Sequence, residues 1–206
     1  MPESFILASR SPRRKQLLTD AGYQFESMPA DEKVETPRRP GETALQFVQR
    51  MAQAKVLNVY AQLKAEDPNA LPTVVGCDTV AVMPLRIKDE IYGGEINRDE
   101  IFGKPKDMDD ARHMLQTLRG KKHIVVSSLC IIKGGILKTR IAKTWLVMDD
   151  LTDEQIEEYL KTKKWQGKAG AFGYQDGIDW VKIVEGTESN VVGLPIELLA
   201  NLLETA

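Results

Sequence analysis

The sequence predicts an α/β fold, and three observations carry that expectation. Short apolar runs of strand character alternate with stretches whose apolar residues recur every three or four positions. Gly134-Gly135 separates two long strand-like runs, which predicts a hairpin. At 206 residues the chain is long for one small domain and short for two, so one domain over residues 1–206, with two lobes, is expected.

The first element is organised around Phe5-Ile-Leu-Ala-Ser-Arg-Ser-Pro-Arg-Arg-Lys15. Residues 5–8 are apolar and read as a buried strand. Ser11 suits an N-cap and Pro12 the first helical position, where no amide donor is lost. Leu17, Leu18 and Ala21 give that helix an apolar side, and Gly22 ends it. Arg10, Arg13, Arg14 and Lys15 therefore crowd the positive end of a helix dipole, an unfavourable arrangement unless an anion binds there. Either a phosphate site or a solvated basic first turn satisfies these residues.

Residues 23–28 read as a second strand, and 29–40 as a polar, proline-bearing loop with Asp31, Glu32 and Glu35. Residues 43–63 read as a long helix with the stripe Leu45, Val48, Ala52, Val56, Val59 and Leu63. Lys55 falls at the edge of that stripe, either snorkelling to solvent or meeting an internal anion. Residues 73–83 form the strongest strand. Asp78 interrupts it on the face of Val74, Val80 and Val82, where an ionised carboxylate needs a cation, a metal or donors, unless it stands at a strand end and caps a neighbouring turn. Residues 84–102, with Gly93-Gly94, read as a surface excursion or flexible hairpin. Gly103-Lys-Pro105 is no P-loop, since Pro105 stands where Ser or Thr is required. Residues 109–118 read as a helix closed by Gly120, 123–132 and 136–148 as paired strands, and Thr152 to Gln155 as a capping box. Residues 167–175 are a glycine-rich turn without the dinucleotide fingerprint. A late strand at 178–184, a loop at 186–195 and a helix at 196–203 follow.

Composition excludes several classes. The net charge of −2 makes the basic opening a local feature and argues against a general nucleic-acid binder. Cys77 and Cys130 sit in apolar runs, read as buried thiols, and make neither a disulfide framework nor a zinc site. His113 and His123 lack ligand spacing and read as structural or surface residues. No stretch is apolar enough to span a membrane and no signal-peptide core opens the chain, so a cytoplasmic protein without membrane partners is expected.

Taken together, Leu7-Ala-Ser-Arg-Ser-Pro-Arg-Arg14, Glu35, Lys55, Gly76-Cys-Asp-Thr-Val80, Gly103-Lys-Pro105, Leu118-Arg-Gly-Lys-Lys-His123, Lys168-Ala-Gly-Ala-Phe-Gly-Tyr-Gln175 and Asn190-Val-Val-Gly-Leu-Pro195 resemble the Maf family of nucleoside triphosphate pyrophosphatases. The pieces occur in order over nearly the whole chain. The resemblance implies a mixed, elongated central sheet flanked by helices, with a cleft between two lobes. It implies a metal-dependent cut between the α- and β-phosphates, with Mg2+ or Mn2+ as cofactor. It assigns Ser9, Arg13 and Arg14 to the triphosphate, Lys55 and Lys104 to phosphate-side charge, and Glu35 and Asp78 to metal and water. Thr79, Lys168 and Gln175 complete the substrate-binding set. Gln175 is the residue kept by members favouring dTTP and UTP, whereas those favouring 7-methyl-GTP commonly have an acidic residue there. The chain departs from the family at Lys164-Trp-Gln-Gly167, where acidic residues are usual, and in the longer 84–102 excursion, which reads equally as a lid, a homodimer contact or neutral surface.

The rival readings are a 7-methyl-GTP enzyme and a non-catalytic nucleotide-binding regulator of cell division. Retention of Asp78 and Glu35 argues against the regulator, because binding alone does not require two buried acids. A minor-groove DNA contact by residues 11–14 is disfavoured by the acidic whole and the helix cap.

Overall fold

The computed structural model of the chain describes residues 4–69, 72–88 and 95–205. Among them, seven strands form one sheet in the order β2-β1-β3-β5-β6-β7, with β4 pairing β3 off that path. The strands are β1 (Phe5–Leu7), β2 (Phe25–Ser27), β3 (Val74–Lys88), β4 (Glu95–Phe102), β5 (Lys122–Lys133), β6 (Ile136–Met148) and β7 (Val181–Glu185). β1 runs parallel to β2 and β3, while β3–β4 and β6–β7 are antiparallel, so the sheet is mixed. The helices are α1 (Pro12–Asp20), α2 (Ala44–Glu66), α3 (Met108–Leu118), α4 (Asp153–Lys161), α5 (Glu188–Val192) and α6 (Ile196–Thr205). None of the described helices is long and apolar enough to cross a membrane.

The chain divides into two compact units, Met1–Thr79 with Ser127–Ala142 and Ser189–Ala206, and Val80–Val126 with Lys143–Glu188. In the first unit, strand alternation sorts side chains onto two faces. Phe5, Leu7, Val75, Cys77, Leu129 and Ile131 meet Leu18 of α1 and Leu199 and Leu202 of α6. Val74, Cys130 and Ile132 face the other way, against Ala52, Val56 and Val59 of α2. These side chains are buried, and each Val or Leu so placed contributes about 1.5–3 kcal/mol relative to exposure. In the second unit, α3 buries Ala111, Met114, Leu115 and Leu118, and α4 buries Ile156, Tyr159 and Leu160. Arg112 of α3 donates to both carboxylate oxygens of Glu157 on α4, through Nε and Nη2.

Several expectations need correction. Leu45 is 36% exposed, and the buried stripe of α2 begins instead at Ala44. The 186–195 loop contains the short helix α5, and the late strand is displaced to Val181–Glu185. Helix α3 starts one residue early because Asp107, not a later residue, caps it through the Asp110 amide. Of the two readings of residues 84–102, the pairing is that of a hairpin: β3 continues past Met83 and pairs antiparallel with β4 from Ala81↔Phe102 to Lys88↔Glu95. Gly93-Gly94 lies outside the described residues. Cys77 and Cys130 are buried free thiols, His123 is fully buried, and His113 is exposed.

Candidate active site

The entry to α1 is built as its sequence dictates. Ser11 is extended and its hydroxyl accepts from the Arg14 amide at 3.4 Å, with Pro12 following in the first turn. Arg14 turns inward. Its Nε donates to the Gly193 carbonyl at 2.8 Å, Nη1 to Ser9 Oγ at 3.2 Å, and Nη2 to Thr79 Oγ1 at 3.3 Å. A guanidinium has five N–H donors, so one remains on each terminal nitrogen. Ser9 Oγ accepts from both Arg14 and the Ser11 amide, which leaves its own O–H to donate outward. Thr79 Oγ1 is more heavily engaged, lying 3.2 Å from the Gly193 carbonyl and 2.8 Å from Ser127 Oγ besides Arg14. Those three contacts use its one donor and two acceptor positions, so Thr79 serves first as an anchor of Arg14. Arg13 is half-buried, and Arg10 is exposed and paired with Glu32.

Lys55 and Asp78 meet because α2 sits flush on β3. A Cβ at Gly76 would lie 2.6 Å from Val56 Cγ2 and 3.3 Å from the Ala52 carbonyl, so only glycine admits the helix at that distance. Two residues along the same face, Asp78 Oδ1 accepts from Lys55 Nζ at 2.6 Å. Their side chains are 11% and 15% exposed, a pair whose breakage from one side costs roughly 3–5 kcal/mol when fully buried. Lys55 therefore meets an internal anion instead of snorkelling. Its ammonium also lies 3.1 Å from Glu35 Oε1. Glu35 is 63% exposed and Asp78 is 15% exposed, which corrects the expectation of two buried acids: one is largely covered and one opens to solvent.

The remaining predicted residues fall in the second unit. The Gly170 amide donates to the Gly103 carbonyl at 3.1 Å, so the turn bearing Lys104 and the turn bearing Lys168 and Gln175 are bonded to each other. Lys168 is buried, with its ammonium paired to Asp176. Gly173 leaves room for that pair, since a Cβ there would lie 2.3 Å from the Lys168 ammonium. Lys104 and Gln175 are exposed. Phe172 stacks edge-on to His123 with centroids 5.5 Å apart, and the Gly173 amide donates to the Tyr159 hydroxyl at 3.2 Å.

Among the described residues, no group of three or more His, Cys, Asp or Glu forms a metal cluster. Asp78 and Glu35 nonetheless fit a hard divalent cation. Both are oxygen donors that converge on one positive charge, the Lys55 ammonium, and Mg2+ commonly takes one or two carboxylates and completes its shell with water and phosphate. Ser127, the Gly193 carbonyl, Asp176 and the Glu42–Arg50 pair escaped the sequence reading. Asp176 carried a signal, being a carboxylate eight residues from a lysine within one turn. Ser127 carried none, for a buried serine in an apolar strand declares no partner.

The chain matches the family described as "Maf-like protein" over residues 4–206. It is 42% identical over 206 residues to the dTTP/UTP pyrophosphatase of Rhodopirellula baltica, covering 98% of this chain and 82% of that protein. It is 37% identical over 192 residues to the dTTP/UTP pyrophosphatase of Pseudoalteromonas atlantica, covering 93% and 91%. The Photobacterium profundum protein of the same name is 35% identical over 192 residues, covering 92% and 90%. The structure of the Staphylococcus aureus Ham1 protein covers 98% of this chain and 99% of its own at a TM-score of 0.48 and 12% identity, too distant to carry a functional argument.

Proposed function

The chain belongs to the Maf family, and we propose that it is a nucleoside triphosphate pyrophosphatase that hydrolyses dTTP and UTP to the nucleoside monophosphate and pyrophosphate. One observation supports this most: Lys55, Asp78 and Glu35 converge in the unit whose basic turn is anchored, through Arg14, to the residue after Asp78. Phosphates at that turn receive the Ser9 O–H, the two uncommitted N–H groups of Arg14 and the positive end of α1. Arg13 adds charge. Asp78 takes the proton of the attacking water, whose oxygen bonds to the α-phosphorus as the bridging P–O bond to the β-phosphate breaks, and pyrophosphate leaves with the electron pair. Lys55 holds the Asp78 carboxylate in place. Glu35 and Asp78 would hold Mg2+ or Mn2+, which neutralises phosphate charge and acidifies bound water.

Selectivity rests on Gln175. Its exposed amide offers a donor and an acceptor, matching a thymine or uracil edge where a carbonyl adjoins a ring N–H. Lys168, held by Asp176, fixes the turn that carries it. The test compares specificity constants for dTTP, UTP, CTP, GTP and 7-methyl-GTP with Mg2+ and with Mn2+, scoring pyrophosphate. Preference for dTTP and UTP is expected. A preference for 7-methyl-GTP overturns the substrate, and binding without pyrophosphate release overturns the activity.

A further inference from the structure

Glu35 stands at the start of a stretch, residues 36–43, that has no helix or strand of its own. The Glu35 amide closes a single 3-10 turn on the Glu32 carbonyl at 3.0 Å, which fixes the backbone before it, and its carboxylate, 63% exposed, faces Lys55. The backbone after it is held by Arg50, on α2 five residues before Lys55. Its Nη1 donates to Thr36 Oγ1 at 2.6 Å and its Nη2 to the Pro37 carbonyl at 3.0 Å, the two residues directly after Glu35. The same guanidinium grips both oxygens of Glu42 through one edge, Nε to Oε1 at 2.6 Å and Nη2 to Oε2 at 2.7 Å. Glu42 in turn accepts the Arg39 amide at 2.9 Å, so both ends of the stretch are bound to one side chain. The grip is sheltered, with Arg50 and Glu42 side chains 17% and 8% exposed, and Phe47 lies under the guanidinium at 5.5 Å. Arg50 holds the Glu42 carboxyl down to about 2, so the pair persists across the working pH range.

We infer that Arg50, braced by Glu42, is a positioning residue that aims the Glu35 carboxylate at the Lys55–Asp78 centre. The inference rests on the proposed role of Glu35 and adds what places it. Only a planar fork serves Glu42, the Thr36 hydroxyl and the Pro37 carbonyl together, so lysine at position 50 keeps the charge and loses the aim.

The experiment is a double-mutant cycle on Arg50→Lys and Glu35→Gln, read by Mn2+ binding without nucleotide, by kcat for dTTP, and by trypsin cleavage after Arg38. Arg50→Lys is expected to weaken Mn2+ binding and lower kcat by about 10–100-fold, as loss of an outer partner of a metal ligand does. The double variant is expected to be no worse than Glu35→Gln, because the arginine acts through the glutamate. Cleavage after Arg38 should accelerate in Arg50→Lys. Additive losses, which a merely structural role would give, overturn the inference, as does unchanged cleavage. Mn2+ binding that is Arg50-dependent in a protein that hydrolyses no triphosphate sustains the inference while refuting the activity. Intact hydrolysis with Arg50→Lys silent does the reverse.

Discussion

Arg14 illustrates how much a single side chain is asked to do: three of its five N–H groups are committed to Gly193, Ser9 and Thr79. Lysine cannot span three acceptors, so Arg14→Lys should lower kcat/KM for dTTP on the order of a hundredfold, comparable to loss of a preorganised donor, despite its retained charge. Steady-state kinetics checks this, and a near-normal constant would make the basic turn a surface feature. Asp78→Asn should lose on the order of a hundredfold or more in kcat while substrate still binds, because the cationic groups survive. Near-normal turnover would move the base to Glu35. At this scale the sequence was legible where chemistry is costly: a carboxylate inside an apolar strand and cations on a helix N-terminus both demand a partner. Which hydroxyl of Ser9 and Thr79 keeps a proton to give was not legible, because that depends on carbonyls and serines far away in the chain.

Helix α2 carries Arg50, Lys55 and the Val56 contact on one body, so its seat on β3 controls the centre. Gly76→Ala would drive a Cβ into Val56 Cγ2, and overpacking of this kind costs about 1–3 kcal/mol. Urea unfolding should show that loss, with Val56→Ala recovering part of it in the double variant because the Ala52 carbonyl still crowds the new methyl. A double variant no more stable than Gly76→Ala would mean the helix is held elsewhere. The long periodic helix and the apolar half of β3 were readable from spacing alone. Helix α5 was not: glycines at 186 and 193 and a proline at 195 spell a loop. Tertiary bonds hold its approach, the Thr187 amide donating to Thr144 Oγ1 at 3.1 Å. The second half of β3 was hidden for a like reason, since Pro84 and the charges after it break the strand pattern that β4 completes.

For the whole molecule, His123 sets an acid limit. Burial pushes its imidazole down to about 4, and Nε2 has no partner among the described residues. The unfolded chain takes up that proton near pH 6.5, the folded chain only near 4. Stability from this group is therefore present above pH 6.5 and lost as pH falls towards 4, by roughly 3 kcal/mol at most. His123→Leu should flatten the fall of Tm over that window, and an unchanged slope would place the acid sensitivity elsewhere. The α/β class could be anticipated from the alternation of runs, and its mixed sheet from the family resemblance. Two lobes were expected from length alone, but no boundary between them could be drawn, since β3, β5 and β6 each run through both compact units.

The bond from Arg14 to the Gly193 carbonyl spans 179 positions of chain. Phe5, Leu7 and Leu18 likewise share their cluster with Leu194, Leu199 and Leu202. A ribosome adding about 5–20 residues per second needs roughly 10–35 s to pass from one partner to the other. Throughout that interval the basic turn exists as sequence without its carbonyl clasp, and a nascent chain arrested before Gly193 holds no ordered guanidinium for a nucleotide. The ordered guanidinium thus waits on Gly193, 179 positions after the arginine that it clasps.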